Sequence, residues 1–381
     1  MITKKQKKKL KKIKVAIFIS DVGFGHMVRQ REVVQQLINK IKNIEITLVN
    51  GLQIEILRES FDDKVKYIKR FNNIELLKTK DGYFGREKSI KTLDVWNKNL
   101  GNDFKFFKKN FKNFHFIISD FVPQVFYYAK KLNIKCYGVC HFSWSWYFET
   151  VYPSQKKSIV SKIKKYENMA TKIFLPPLTP KGVYSNINDV EKYKNINFIS
   201  QPYKSENTKN SKKTFLIMDN GTQTLSKLIS DTVPYLKKMK NYIFYIGISS
   251  LNNVATEIIL KSKNMIPITT LKGMYSYIGK VDHVIVRGGF NSITECLFFK
   301  NPAIFMSEKF NPEIDENLKI VFDKNLGAIM NKEDWKSNFS KRIDMFIKNE
   351  ANLIKKNLNR QQFKYNGVSQ LLKAILKDLK I

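Results

Sequence analysis

The chain has 381 residues, enough for two α/β domains of ordinary size, and 43% of them are hydrophobic, which excludes disorder over any large fraction. No uninterrupted apolar run approaches the roughly 18 residues that cross a bilayer as a helix. The lysine-rich start lacks the apolar core and cleavage site of a signal peptide, so a cytoplasmic location is expected. The 68 basic residues outnumber the 33 acidic ones and leave a net charge of +35.

Two explanations compete for that charge. Lys, Asn, Ile, Phe and Tyr are all abundant here and share A/T-rich codons, so part of the lysine excess follows from genome composition. The shortage of acids does not, and so basic a surface attracts phosphates, acidic glycans or anionic lipid. Nucleic acid is not an expected partner, because no recognition motif or aromatic-basic repeat accompanies the charge. The three cysteines, Cys136, Cys140 and Cys296, are odd in number and lie among apolar neighbours. They read as buried thiols, not as a disulfide framework or a metal site.

In chain order, residues 1–14 carry eight lysines and read as a solvated arm that is either inert or attracted to an anionic membrane surface. Residues 15–19 are all apolar, as in a parallel strand buried on both faces. A glycine turn over 20–25 follows, then apolar residues at helical spacing (Val33, Val34, Leu37, Ile38, Ile41) and a second strand over 44–49. Strand, glycine turn, helix and strand make the βαβ unit that opens a doubly wound domain. Strands at 114–118 and 135–139 flank a helix over 125–132. Residues 78–89 read as a polar, mobile loop.

Residues 201–213 turn polar and read as a linker. A second series starts with a strand at 214–218, a turn at 219–222 and a helix from 224. Strands at 242–246, 281–286 and 303–306 follow. The expected division is an arm (1–14), an N-terminal Rossmann-like domain (15–200), a linker (201–213), a C-terminal Rossmann-like domain (214–350) and two terminal helices (351–381) that pack back on the first domain.

Two constellations carry chemistry. In Gly23-Phe-Gly25-His26-Met-Val-Arg29 the glycines let backbone N–H groups approach a ligand at a helix N-terminus. Val28 replaces the third glycine of the dinucleotide fingerprint. His26 stands at the carboxyl end of the first strand, where open parallel sheets bind ligands. An imidazole there acts either as a general base toward a hydroxyl or as a structural cap. Arg29 contacts phosphate or acceptor, or supports the loop. The second constellation is Arg287-Gly288-Gly289-Phe-Asn291-Ser292-Ile-Thr-Glu295. Its glycines and Ser292 offer donors to a diphosphate, and Glu295 can accept from the two hydroxyls of a ribose. The alternative is a plain glycine turn with a capping box.

Gly-Gly-x-x-Ser-x-x-Glu, followed by Asn301-Pro302 and by Asp315-Glu316-Asn317, resembles the donor-binding half of GT-B glycosyltransferases. These include the macrolide and glucuronosyl transferases and the lipid-linked N-acetylglucosamine transferase of peptidoglycan synthesis. Over nearly the whole chain, Ser20 to Arg29, Ile118-Ser-Asp120-Phe-Val-Pro123 and His141-Phe-Ser-Trp144-Ser-Trp146 are similar to the glycosyltransferase-like domain of plant-type L-arabinokinases and its stand-alone bacterial relatives. The resemblance implies a GT-B fold, two Rossmann-like domains with a cleft between them, and an inverting glycosyltransferase.

It implies a UDP-linked sugar as donor, with the diphosphate on Gly25, Arg287, Gly288, Gly289, Asn291 and the turn Asn220-Gly221-Thr222. The ribose would lie on Glu295 and the sugar on Asp315 and Glu316. A glycan, lipid-linked or small-molecule acceptor would meet Arg29, His141 and Trp144, with His26 as base. No metal or other cofactor is expected. Asp120 either orients His26 as a carboxylate partner or caps the following helix. His115 and His283, inside strands, read as structural. A nucleotide-sugar hydrolase resembling the pseudaminic acid pathway enzyme is one alternative, since it has a similar Gly-x-Gly-His-x-x-Arg turn. A non-catalytic, membrane-associated binding protein is another.

Overall fold

The computed structural model describes residues 12–61, 65–72, 74–79, 84–183, 190–199, 211–219, 225–248, 251–269 and 276–381. They build two wholly parallel sheets. The first contains β1 (Ile13–Ile19), β2 (Ile44–Asn50), β3 (Val65–Lys69), β4 (Phe116–Asp120), β5 (Lys135–Val139), β6 (Lys172–Leu175) and β7 (Tyr193–Asn195) in the order β3-β2-β1-β4-β5-β6-β7. The second contains β8 (Lys213–Met218), β9 (Tyr242–Gly247), β10 (Met265–Ile268), β11 (His283–Arg287), β12 (Ala303–Met306) and β13 (Ala328–Met330) in the order β10-β9-β8-β11-β12-β13.

The central strands are mainly apolar because helices cover both faces: Val15, Ala16, Ile17 and Ile19 of β1 are completely buried. Strand order reverses at β1/β4 and again at β8/β11, the two switch points at which doubly wound sheets leave a crevice at their carboxyl ends. Both glycine turns sit at those crevices.

Where the structure departs from expectation, packing is the reason. The strand expected at 114–118 runs over Phe116–Asp120 instead, in a register that sets Ile19 beside Asp120. That shift makes Asp120 the last residue of β4. The last four residues of the polar loop expected at 78–89 are instead the entry to a 26-residue helix, Arg86–Phe111, which buries Ile90, Leu93, Trp96, Phe107 and Phe111, while residues 80–83 lie outside the described residues. Of the two terminal helices, Ala351–Arg360 packs Ala351, Ile354 and Leu358 into the core of the second sheet. Gly367–Leu379 crosses back and seats Val368, Leu371, Leu372 and Ile375 in the core of the first. The chain therefore passes between the halves twice, and the two passages lie side by side: Phe198 N donates to Lys364 O at 3.0 Å and Gly367 N to Phe198 O at 3.1 Å. Among the described residues, no helix is long and apolar enough to cross a membrane.

Candidate active site

The turn after β1 is held from below by Asp21. Its Oδ1 accepts from Gly51 N at 2.6 Å and Leu52 N at 3.1 Å, and its Oδ2 from Asn72 N at 2.8 Å, which ties three loops together. Gly23 then takes φ 69°, a left-handed conformation that only glycine adopts without strain. The chain enters the Gly25–Lys40 helix with no acidic residue in its first turn, so its N-terminal dipole meets the crevice uncompensated.

His26, on that helix, meets the end of β4. Its Nδ1 lies 2.9 Å from Asp120 Oδ1. The same carboxylate accepts from Arg29 Nη2 at 2.5 Å, Arg29 Nε at 3.1 Å and Gln30 Nε2 at 2.8 Å. Burial alone pushes the Asp120 carboxyl up, but the Arg29 guanidinium and His26 outweigh it and bring the group down to about 2. Asp120 is thus a buried anion with its charge matched. Nδ1 of His26 also lies 3.0 Å from Arg29 Nη2. In the tautomer whose Nδ1–H donates to the carboxylate, Nε2 of His26 keeps its lone pair and makes no hydrogen bond among the described residues. Phe121, next along, is a non-glycine residue at φ 61° and packs its ring 4.9 Å from that of His26. Backbone strain of this kind persists where surrounding contacts over-determine it.

Across the crevice, Gly289 caps the Phe290–Phe299 helix, whose first turn is also free of acids. Asn291 Nδ2 donates to Gly25 O at 2.5 Å, so the two glycine turns touch. A Cβ on Gly25 would lie 2.7 Å from that amide nitrogen, so Asn291 would have to shift to admit one. Beside this contact opens a cleft of about 470 Å³, lined by Gly23, Gly25, His26, Arg29, Lys78 and His141 from the first half and by Arg287, Gly289, Asn291, Ser292 and Glu313 from the second.

His141 stacks on Phe290 with ring centroids 4.3 Å apart, and its Nε2 lies 3.0 Å from Glu313 Oε1. Burial lowers the His141 pKa, so the neutral ring donates through Nε2–H and its buried Nδ1 is left without a partner. Burial pushes the Glu313 carboxyl up, but the hydrogen bond from His141, with the charges of His141 when protonated and of Arg287, outweighs it and holds the group well below the usual carboxylate range.

The remaining expected residues fall elsewhere. Glu295 lines a small recess with Arg29, Glu32 and Thr294, behind the main cleft; its Oε2 has no partner, and burial pushes the carboxyl up to about 8. Asp315, exposed, and Glu316, half-buried, lie two and three residues beyond Glu313 without lining the cleft. Gly288 is needed for packing, as a Cβ there would stand 2.6 Å from Leu318 Cδ2. Trp144 is buried in an aromatic cluster with its indole N–H on Phe121 O at 2.9 Å, so its ring faces core. Asn220, Gly221 and Thr222 lie outside the described residues. His283 is buried with both ring nitrogens unpartnered and is brought down to about 4 by burial. Sequence reasoning missed Lys78, Glu308 and Glu313; for Glu313 the Asn311-Pro312 helix start was a usable signal.

Residues 220–371 match the glycosyltransferase family 28 C-terminal domain. Two curated proteins are similar over part of the chain. Both are UDP-N-acetylglucosamine--N-acetylmuramyl-(pentapeptide) pyrophosphoryl-undecaprenol N-acetylglucosamine transferases. The one from Thermosipho melanesiensis is 29% identical over 150 residues, covering 38% of this chain and 42% of the relative. The one from Thermosipho africanus is 28% identical over 133 residues, covering 34% and 37%. The matched stretch thus spans about two fifths of either relative. Solved structures match over nearly the whole length. The glycotransferase of kitacinnamycin superposes with a TM-score of 0.72 at 11% identity, over 97% of this chain and 100% of that one. The calicheamicin glycosyltransferase CalG4 gives 0.68 at 11%, over 97% and 99%. Arabidopsis thaliana UGT89C1, complexed with UDP-L-rhamnose, gives 0.68 at 11%, over 97% and 100%. The fold is that of the GT-B glycosyltransferases.

Proposed function

We propose that this GT-B chain is an inverting glycosyltransferase that moves a sugar from a nucleotide-sugar donor, UDP-linked, to a hydroxyl of a glycan or lipid-linked acceptor. The observation that carries the reading is the meeting of His26 and its buried partner Asp120 with the Gly289 helix N-terminus in one cleft. Nε2 of His26 would take the acceptor proton while the oxygen attacks the anomeric carbon from the face opposite the leaving diphosphate. Asp120 would hold the imidazole in the right tautomer and balance the imidazolium. The helix N-terminus and Arg287 would receive the charge of the leaving group, which needs no metal.

The family 28 match and the Thermosipho relatives support a nucleotide-sugar donor and a lipid-linked acceptor. The finer kinship with the glycosyltransferase-like domain of L-arabinokinases belongs to the same reading, as does a location at the cytoplasmic face of the membrane. Glu295 on the ribose, and Asp315 and Glu316 on the sugar, require the cleft to rearrange when the donor binds.

The test is a panel of UDP-sugars with and without lipid-linked acceptor, in the presence of EDTA. Acceptor-dependent release of UDP and a product of inverted anomeric configuration are expected. His26→Ala should lower turnover by roughly 10²- to 10⁴-fold and leave UDP binding intact. Sugar release that ignores the acceptor would move the assignment to a hydrolase, with water as the nucleophile; turnover unchanged in His26→Ala would remove the base.

A further inference from the structure

Lys78 belongs to neither glycine turn, yet it crosses the cleft. It lies on a short loop pinned to the start of the Arg86–Phe111 helix. Gly85 N donates to Leu77 O at 2.7 Å, Leu77 N donates to Ser89 Oγ at 2.9 Å, and Lys78 forms an antiparallel bridge with Phe84. Its ammonium is ion-paired with Oε1 of Glu308, in the segment after β12 of the opposite half. Glu308 is fully buried, and its other oxygen accepts from Arg287 Nε at 2.8 Å, Arg287 Nη2 at 2.6 Å and Asn311 Nδ2 at 3.0 Å. One carboxylate therefore serves two cations, one from each half, and both cations line the cleft beside Gly289, Asn291 and Ser292. The trio carries one positive charge more than it balances.

We infer that Lys78 is the side chain through which the first half engages the donor: an incoming nucleotide-sugar diphosphate takes the place of Glu308 as the counter-ion of Lys78. The exchange rests on the glycosyltransferase reading above. Glu308 keeps Arg287 and Asn311 on Oε2 when Lys78 leaves Oε1, so the buried carboxylate retains a cation to balance its charge. An ammonium on a flexible stem is a compact donor that can swing between oxygens, whereas the Arg287 fork is fixed on Glu308 by two hydrogen bonds. Burial, assisted by Arg287, already holds the Lys78 ammonium down at about 8, a state that the two negative charges of a diphosphate relieve. Lys78 then acts as a positioning and leaving-group residue supplied across the cleft from the glycine turn.

The experiment is calorimetric titration of the full chain with UDP, GDP and dTDP and with the three corresponding nucleosides. For the tightest diphosphate, Lys78→Gln is expected to weaken binding roughly 10- to 100-fold and to leave nucleoside binding unchanged, and Lys78→Arg to restore most of the loss. If Lys78 only braces the two halves, Lys78→Gln lowers the melting temperature but shifts diphosphate and nucleoside alike, and the inference is overturned. Diphosphate bound equally by the unmutated chain and Lys78→Gln overturns it as well, with the glycosyltransferase reading left standing. A chain that binds none of the three diphosphates overturns both.

Discussion

A carboxyl group buried without a partner works against folding, and Glu295 is such a group: 6% exposed, with Oε2 unpartnered. Unfolded, it ionises near 4.5; folded, burial keeps its proton on up to about 8. Between those values the unfolded chain binds fewer protons than the native one, so stability falls as pH rises from about 4.5 to about 8. Glu295→Gln removes the titration and keeps the shape. We expect it to match the unmutated protein in urea denaturation at pH 4.5 and to exceed it by roughly 3–5 kcal/mol at pH 8.5. Identical pH profiles for the two proteins would refute this account. Retaining a destabilising carboxyl makes sense at a site used for binding, because functional sites commonly sacrifice stability. The same substitution should therefore weaken nucleotide binding while strengthening the fold.

At the scale of elements, the tightest constraint is where the two passages between the halves run together. A Cβ on Gly367 would lie 2.1 Å from Asn197 O and 2.9 Å from Phe198 O, both backbone atoms that cannot swing aside. Gly367→Ala must push the last helix away from the first passage and loosen Val368, Leu371 and Leu372 in the core of the first sheet. Overpacking against backbone costs roughly 1–3 kcal/mol, so a fall in melting temperature of roughly 2–10 °C is expected by calorimetry. An unchanged melting temperature would mean that this crossing yields freely. The strands at 15–19 and 303–306 were legible in sequence because burial on both faces makes them wholly apolar, and the one at 44–49 because Ile44, Ile46, Leu48 and Val49 outweigh Glu45 and Thr47. β3 was not, since as an edge strand it carries Lys66 and Lys69 among only three apolar residues, and β7 and β13 have only three residues each. The site divides in the same way. His26, Asp120 and the two glycine turns stand at strand ends that local pattern reveals. The Lys78–Glu308 and His141–Glu313 pairs are made by residues 230 and 172 positions apart, which no local pattern encodes.

For the whole molecule the open question is whether a net charge of +35 does anything. Fold gives it a geometry. On the Arg86–Phe111 helix and its C-cap, Lys91, Lys98, Lys105 and Lys112 recur every seven residues and are all exposed. A seven-residue step drifts only about 20° around a helix, so the four form a nearly straight stripe about 30 Å long. Such a row suits a flat anionic surface, to which each lysine contributes roughly 1 kcal/mol before salt screens it. Changing these four to Gln should weaken sedimentation with phosphatidylglycerol vesicles at low salt by roughly 3–4 kcal/mol. Changing four exposed lysines of the other half, Lys319, Lys324, Lys336 and Lys341, removes the same net charge. If charge alone matters, the two quadruple variants lose binding equally and the lysines reflect codon bias. If the stripe is the docking face, the first variant loses binding and the second keeps most of it. With neutral phosphatidylcholine vesicles neither variant nor the unmutated chain should sediment, because the attraction is electrostatic and no spanning segment reinforces it among the described residues.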